Sequence, residues 1–260
     1  MQHGIKGLFK LVVIISFAVI TACSDNSSSE NNMAKMDDVN EAARDIVGNN
    51  AFFYYKDYDG AIDFYSKTMG FKNVFEFPGF AIIFQTSPTT FLTIVNDNGR
   101  GMHSSDEPKT VAVAFLTDEP HRWYDYMISQ GAEIKNGPKP IANTPHNGFI
   151  MLDPGGYSLE FEYFAPHEEN TKFIPLLDAS ENIYPKEGQD TTRPADLGFK
   201  ASIYWLYHAD SVAAADFYRD VMGLEMIVQQ PFSDIYTSSR TGYIGLVLSG
   251  QGMHTATHEK

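Results

Sequence analysis

Two glutamates that share one strand face are the side chains best placed to do chemistry. Glu160 and Glu162 stand two positions apart in Ser158-Leu-Glu-Phe-Glu-Tyr-Phe164. Alternation along a strand puts both carboxylates on one face, with Leu159 and Phe161 on the other. Inside a cavity Glu160 could contact a polar or cationic ligand, or act as a base if desolvation raises its pKa, and Glu162 would lie nearer the rim. The alternative is that both are solvated or paired with a Lys or Arg.

This strand is the second arm of a predicted β-hairpin. The turn Asp153-Pro-Gly-Gly156 separates it from the apolar run Phe149 to Leu152. Proline presets φ and glycine accepts positive φ, which tight turns require. The loop before the hairpin carries His146, which could close over a ligand, although an exposed polar histidine is the alternative.

The elements before the hairpin follow one pattern twice. Strand, helix and three strands are predicted between residues 51 and 95, with Gly70 ending the helix. The same order follows between residues 110 and 164, and its last two strands form the hairpin. The predicted fold class is therefore α+β, built from βαβββ modules.

The hairpin and this strand-helix order resemble the vicinal oxygen chelate family, which is also called the glyoxalase, bleomycin-resistance and extradiol-dioxygenase superfamily. The resemblance implies two βαβββ modules around a shared cavity, and in the metal enzymes a divalent ion held by His, Glu or Gln. By the resemblance, the four ligand positions fall near Asn50, Thr93, Val111 and Glu160. Only Glu160 is a good metal ligand. We therefore expect no metal cofactor, and a divalent metal stays as the alternative.

The pattern of module one returns after a proline-containing linker. Residues 61–70, Ala-Ile-Asp-Phe-Tyr-Ser-Lys-Thr-Met-Gly, resemble residues 214–223, Ala-Ala-Asp-Phe-Tyr-Arg-Asp-Val-Met-Gly. Such a repeat predicts a duplicated domain. We assign residues 48–165 to a complete glyoxalase-like domain, 166–197 to the linker and 198–260 to a third module. Three explanations stay open for the third module: a truncated chain, completion by a second copy in a homodimer, or packing on the first domain.

The overall charge argues against one class of partner. The chain of 260 residues has a formal net charge of −14 and contains 43% hydrophobic residues. Without a basic stretch to displace counterions from phosphates, we expect no nucleic-acid binding.

The single cysteine lies in a predicted export signal. Lys6 and Lys10 precede the apolar run Leu11 to Ile20, and Ile20-Thr-Ala-Cys23 resembles a bacterial lipobox. The resemblance implies a lipoprotein signal peptide at 1–22, acylation of Cys23 with a fatty acid such as palmitate, and membrane anchoring. Residues 23–47 then form a tether and a short helix. The expected location is the bacterial envelope, on the periplasmic side of the outer membrane if the cell is Gram-negative.

Three functions agree with these patterns. The first is a lipid-anchored module that binds a small molecule without metal, for which the cavity candidates are Glu160, Glu162, Asn50, Thr93 and His146. The second is a metal-dependent lyase, isomerase or dioxygenase similar to lactoylglutathione lyase or an extradiol dioxygenase. The third is a structural role in assembly. One fold hosts all three functions, so the site must decide between them.

Overall fold

The computed structural model describes residues 46–138 and 144–248 of the chain. These residues belong to one compact unit, Asn40–Lys260. The predicted signal peptide 1–22, Cys23 and nearly all of the tether lie outside the described residues. Among the helices that the structure describes, none has the length and apolar character needed to cross a bilayer.

Module one has the βαβββ order that the sequence predicts. Its helix begins after Asp57, whose side chain accepts a hydrogen bond from the backbone N–H of Gly60. The helix widens into a π-helical turn and ends at Gly70, which has a φ of 60°. The elements are β1 (Asn49–Tyr55), α1 (Tyr58–Asp63, continued by the π-helical turn Phe64–Thr68), β2 (Lys72–Phe77), β3 (Ala81–Ser87) and β4 (Thr90–Asn96).

Modules two and three repeat this order, so the predicted α+β class with βαβββ modules is confirmed. Module two consists of β5 (Val111–Leu116), α2 (Pro120–Ser129), β6 (Glu133–Asn136), β7 (His146–Leu152) and β8 (Ser158–Phe164). The linker contains a 3-10 turn (Glu168–Asn170) and α3 (Phe173–Asp178). Module three consists of β9 (Ala201–Tyr207), α4 (Ser211–Asp216, continued by the π-helical turn Phe217–Val221), β10 (Met226–Gln229), β11 (Ser233–Ser239) and β12 (Gly242–Val247).

The resemblance implies that modules one and two share a cavity. In the structure, modules two and three are paired instead. Modules two and three form one eight-stranded sheet of order β10-β11-β12-β9-β5-β8-β7-β6. Module one has its own sheet of order β1-β4-β3-β2. The physical reason is that β5 and β9 are the edge strands of their modules, and six residues of each pair antiparallel, from Val111↔Leu206 to Leu116↔Ala201. Of the three explanations, the structure shows module three joined to the first domain.

One face of the eight-stranded sheet carries both glutamates, and we call it the glutamate face. Ala114 of β5 is the register partner of Glu160, and Ala112 is the register partner of Trp205 in β9. Register partners lie side by side on the same face of a sheet. The glutamate face is therefore defined by Glu160, Glu162, Ala112, Ala114 and Trp205.

A buried carboxylate joins module one to module two. Asp153, in the turn between β7 and β8, accepts hydrogen bonds from the hydroxyl groups of Tyr55 and Tyr65. Its second oxygen accepts from the backbone N–H groups of Gly155 and Tyr157, both at 2.8 Å. Burial raises the pKa of this carboxyl, and the four hydrogen bonds oppose that effect. The contact therefore holds β1 and α1 against the hairpin.

A pair of turns joins module one to module three. The backbone N–H of Thr89 donates to the hydroxyl of Thr241 at 2.9 Å, and the backbone N–H of Thr241 donates to the hydroxyl of Thr89 at 2.9 Å. The two residues occupy matching turns, between β3 and β4 and between β11 and β12. The reciprocal bonds give this contact an approximate two-fold symmetry.

The linker covers part of the glutamate face. Phe173 of α3 is fully buried, and its ring centroid lies 4.8 Å from those of Phe164 and Tyr243. Leu177, one turn later, is 5% exposed in the same apolar cluster. Helix α3 thus fills one part of the concavity that a ligand could otherwise occupy.

Module one leaves an apolar surface open. Phe52, Phe75 and Phe77 are 55%, 53% and 48% exposed within the part of the chain that the structure describes. Asn50 and Thr93 lie in the same sheet and bond to each other, with 2.8 Å between Asn50 Nδ2 and Thr93 Oγ1. This surface is separate from the glutamate face.

Candidate functional site

A cavity of about 460 Å³ lies on the glutamate face, between modules two and three. Its volume falls within the range of about 300–1,000 Å³ that small-molecule sites occupy. The lining side chains come from both modules, from the 3-10 turn and from the connection between β10 and β11; they are Pro145, His146, Glu160, Glu162, Glu169, Trp205, Tyr207, Gln230, Pro231, Phe232, Ser233 and Val247. A smaller cavity of about 140 Å³ beside α3 also contacts Glu162.

Strand alternation places the polar and aromatic groups opposite each other. Glu160 and Glu162 project from β8, while Trp205 and Tyr207 project from β9. The central strand β5 lies between them and contributes alanine at positions 112 and 114. Small side chains on the central strand leave the space between the carboxylates and the aromatic rings open.

A glycine seats the indole of Trp205. Gly245 of β12 is its register partner. A Cβ atom built on Gly245 would lie 1.9 Å from Cε3 of Trp205, well inside any contact that atoms tolerate. The ring therefore lies directly on the backbone of β12, where only glycine leaves room for it.

Burial raises the pKa of both carboxylates. The pKa of Glu160 rises to about 7, because burial penalises the charged form and the neighbouring indole of Trp205 offsets this only in part. The pKa of Glu162 rises well above its usual range, first through burial and then through repulsion from Glu160. Burial and both glutamates also raise the pKa of Tyr207. Burial thus favours the protonated form of both carboxyl groups.

Two buried polar atoms in this cavity make no hydrogen bond. They are Oε2 of Glu162 and Nε1 of Trp205, and the whole Trp205 residue is 6% exposed. The indole N–H faces Glu160 closely enough to affect its pKa but lacks the geometry of a hydrogen bond. The other oxygen of Glu162 lies 3.7 Å from Nδ1 of His146. Buried polar groups normally have a hydrogen-bond partner, so this acceptor and this donor can bond to a ligand or to water.

The structure separates the residues that the sequence analysis grouped together. Glu160, Glu162 and His146 line the cavity. Asn50 and Thr93 lie in the separate sheet of module one, because β1 and β4 do not extend the eight-stranded sheet. Val111 packs against the apolar core behind the sheet, one position out of phase with Ala112.

Sequence reasoning missed the half of the site that module three supplies. Trp205, Tyr207, Gln230 and Phe232 line the cavity, but the sequence linked none of them to Glu160. The available signal was the alternation in Tyr204-Trp-Leu-Tyr207, which places Trp205 and Tyr207 on one face. That pattern could not show which other strand they face.

The side chains present do not fit the metal set that the resemblance implies. Within residues 46–138 and 144–248, no three His, Cys, Asp or Glu side chains are grouped so that they could hold a metal ion. On the glutamate face, β5 offers Ala112 and Ala114 where a ligating side chain would be needed. The absence of a cofactor stays a prediction.

Residues 48–161 match the sequence profile of the Glyoxalase/Bleomycin resistance protein/Dioxygenase superfamily. They form a domain of this superfamily. The glyoxalase-like domain thus supplies Glu160, while Glu162 and the wall from module three lie beyond the matched residues.

Solved structures support the same fold. A presumed dioxygenase from Bacillus subtilis subsp. subtilis strain 168 is 19% identical with a TM-score of 0.53, over 81% of this chain and 66% of that chain. A glyoxalase I variant from Zea mays is 13% identical with a TM-score of 0.52, over 79% of this chain and 70% of that chain. No curated protein matches the sequence. At these identities, the similarity shows the glyoxalase-like fold alone.

Proposed function

We propose that the chain is a binding protein whose glyoxalase-like scaffold holds a small organic molecule in the cavity between modules two and three. The observation that carries this proposal is the cavity of about 460 Å³ with two unpartnered buried atoms. A ligand that accepts from the indole of Trp205 and donates to Glu162 would satisfy both atoms. Satisfying buried polar groups favours binding because each unpaired group otherwise costs about 1–3 kcal/mol.

The donor set favours binding over metal catalysis. The metal enzymes of the resemblance need a carboxylate or imidazole from several strands, whereas β5 and β12 offer alanine and glycine here. Glu160 and Glu162 lie on one strand and are held partly protonated by burial. Protonated carboxyl groups are poor ligands for divalent ions.

One observation supports a second candidate, an enzyme that moves a proton without metal. A general base works best when its pKa lies near the working pH. The pKa of Glu160 is raised to about 7 by burial in a cavity large enough for a substrate. In that reading, Glu160 would take a proton from a carbon or heteroatom of the bound molecule.

The envelope location belongs to the same proposal. The support is the sequence Ile20-Thr-Ala-Cys23 after a basic and apolar segment. Acylation of Cys23 would hold the binding domain at a membrane surface through the tether. Intact mass measurement of the membrane fraction tests this: wild-type chain should carry acyl chains, and Cys23→Ala should remain at the mass of its precursor.

A thermal-shift screen tests the binding proposal directly. Small organic compounds are screened against the full chain in detergent, and each hit is repeated with Trp205→Phe, which removes the indole N–H but keeps an aromatic ring. We expect hits that lose about tenfold or more in affinity in this variant, because an unpaired hydrogen-bonding group costs about 1–3 kcal/mol.

The matched control is Glu168→Gln, which changes an exposed glutamate beside the cavity. It should leave every affinity unchanged. If the screen gives no hits, or if the affinity of every hit is unchanged in Trp205→Phe, the cavity is not the binding site. Turnover of a hit that stops in Glu160→Gln would support the enzyme instead.

A further inference from the structure

We propose that the ligand of this cavity is a small organic cation with an apolar body, bound between the two glutamates and the aromatic side chains of module three. This inference rests on the proposed function and names the class of molecule that the cavity selects. Three properties of the lining carry it: the sign of its charges, the position of its aromatic rings and the unpartnered oxygen of Glu162.

The titratable side chains that line the cavity lie mostly on the side formed by module two and the 3-10 turn. Module two contributes Glu160 and Glu162 from β8 and His146 from β7, and the 3-10 turn contributes Glu169. Tyr207 is the only titratable lining group from β9, and the described lining of β12 and of the β10 to β11 connection has none. Among the described residues that line the cavity, none is a lysine or an arginine. An anionic ligand would therefore meet repulsion without a compensating positive side chain.

Aromatic rings form the opposite wall. Trp205 and Tyr207 stand on β9, across β5 from the glutamates, and Phe232 is near the opening with 60% of its surface exposed. An indole face attracts an organic cation, most strongly where water is excluded. The rings also suit an apolar body, so a protonated amine attached to a hydrocarbon fits both walls.

The unpartnered oxygen gives the cation a defined place. Oε2 of Glu162 is buried and accepts no hydrogen bond in the structure. The other oxygen faces His146 across 3.7 Å, so it is not equally open. An ammonium group at Oε2 would pair with a largely buried carboxylate that has no lysine or arginine partner among the described ion pairs.

Cation binding must release protons. Burial raises the pKa of Glu160 to about 7 and also raises that of Glu162, so burial favours the protonated carboxyl groups in the free protein. A bound cation favours the ionised carboxylates and so lowers both pKa values. Affinity for the cation should therefore rise as the pH is raised from about 6 to about 8. The other titratable groups that line the cavity are His146, Glu169 and Tyr207.

The test compares three probes of one shape. Benzylammonium, benzyl alcohol and benzoate are titrated into the full chain in a neutral detergent, by calorimetry at pH 6, 7 and 8. We expect the cation to bind at least about tenfold tighter than the alcohol at pH 8, with benzoate silent. Titration in two buffers of different ionisation enthalpy should show proton release with the cation only.

Variants locate the effect. Glu162→Gln and Glu160→Gln should each lower the affinity for the cation by about tenfold and reduce proton release. Glu168→Gln should do neither. Circular dichroism melting of each variant confirms that it folds. Retained cation affinity in the two folded cavity variants would overturn the proposal.

The outcomes separate this inference from the proposed function. If the alcohol or benzoate binds as tightly as the cation, and Trp205→Phe weakens it, the binding function stands and the cation class is wrong. If the cation does not bind while other molecules from the screen do, the conclusion is the same. If neither these probes nor the screen gives binding, both proposals fall.

Discussion

At the scale of single residues, the two glutamates show how strand position can bury a carboxylate that would ordinarily be exposed to solvent. Both belong to a strand with clear alternation, and the same alternation that buries Phe161 in the core sends Glu160 and Glu162 into the cavity. Neither carboxylate has a lysine or arginine partner among the described contacts. A stable fold tolerates them because protonation removes the charge that burial disfavours.

This arrangement predicts a pH-dependent stability. The pKa of Glu160 in the folded state, about 7, lies above the ordinary glutamate value of 4.5, so the folded state binds the proton more tightly than the unfolded state. The free energy of unfolding should therefore fall as pH rises from about 4.5 through 7, and Glu162, whose pKa is also raised, adds to the loss. Glu160→Gln should be more stable than wild type by roughly 2 kcal/mol at pH 8 and equal to it near pH 4.

Urea unfolding followed by fluorescence at several pH values measures this difference. Glu168→Gln should follow the wild-type curve at every pH, because its side chain is exposed. A Glu160→Gln variant that is less stable than wild type at pH 8 would show that the charged carboxylate is favoured in the folded protein.

At the scale of secondary-structure elements, the site depends on residues that carry no functional group. The short side chains of Ala112 and Ala114 leave space above the central strand, and Gly245 lets the indole of Trp205 lie on β12. Helix α3 closes the other part of the glutamate face through Phe173. The cavity is thus the space that these small side chains leave and that the linker does not fill.

Gly245→Ala tests this packing. The added methyl group would overlap the ring of Trp205, so either the indole or β12 must move. We expect a loss of about 1–3 kcal/mol in the free energy of unfolding, which is typical of overpacking. The emission of Trp205 should shift as well, and the chain has only one other tryptophan, Trp123.

Gly137→Ala is the matched control for this change. A Cβ atom at Gly137 meets only the ring and hydroxyl of Tyr124, at 3.5 Å or more. Its stability and its emission spectrum should stay close to wild type. Equal effects in the two variants would mean that loss of glycine, and not contact with Trp205, changes the protein.

How much the sequence could predict also differs between elements. The hairpin around Asp153, the repeated Asp-Phe-Tyr helices and the face of Glu160 followed from local patterns and are present in the structure. Helix α3 could not be foreseen, because six residues that include Pro175 show too little periodicity. The partner of β5 was equally hidden, since alternation defines the faces of a strand and not the strand that pairs at its edge.

At the scale of the whole molecule, three modules are held together by different contacts. A backbone ladder joins modules two and three, and the reciprocal bonds of Thr89 and Thr241 join modules one and three. Modules one and two share the buried carboxylate of Asp153. Thr89, Thr241 and Asp153 are not among the residues that line the cavity, so these two junctions can be tested separately from binding.

Asp153→Asn should weaken the whole chain. An amide has one oxygen and one NH2 group in place of two acceptor oxygens, so it cannot accept from two tyrosine hydroxyls and two backbone N–H groups. Because a buried donor left unpaired costs about 1–3 kcal/mol, we expect a loss of about 2–4 kcal/mol. Chemical denaturation measures the loss.

The control is Asp125→Asn on the exposed face of α2. It makes the same chemical change where water replaces any lost contact, and should alter stability by less than about 0.5 kcal/mol. If Asp153→Asn is equally mild, the hydroxyl groups of Tyr55 and Tyr65 have reoriented and the junction does not depend on the charge.

The ladder between β5 and β9 also sets the order in which the protein can assemble during synthesis. It pairs residues about 90 positions apart, whereas the sheet of module one closes within residues 49–96. Chains are made from the N-terminus, so module one can form while β9 is still inside the ribosome. The cavity exists only after β12 has emerged and joined the sheet. Binding of a ligand therefore reports that modules two and three have been made and have folded together.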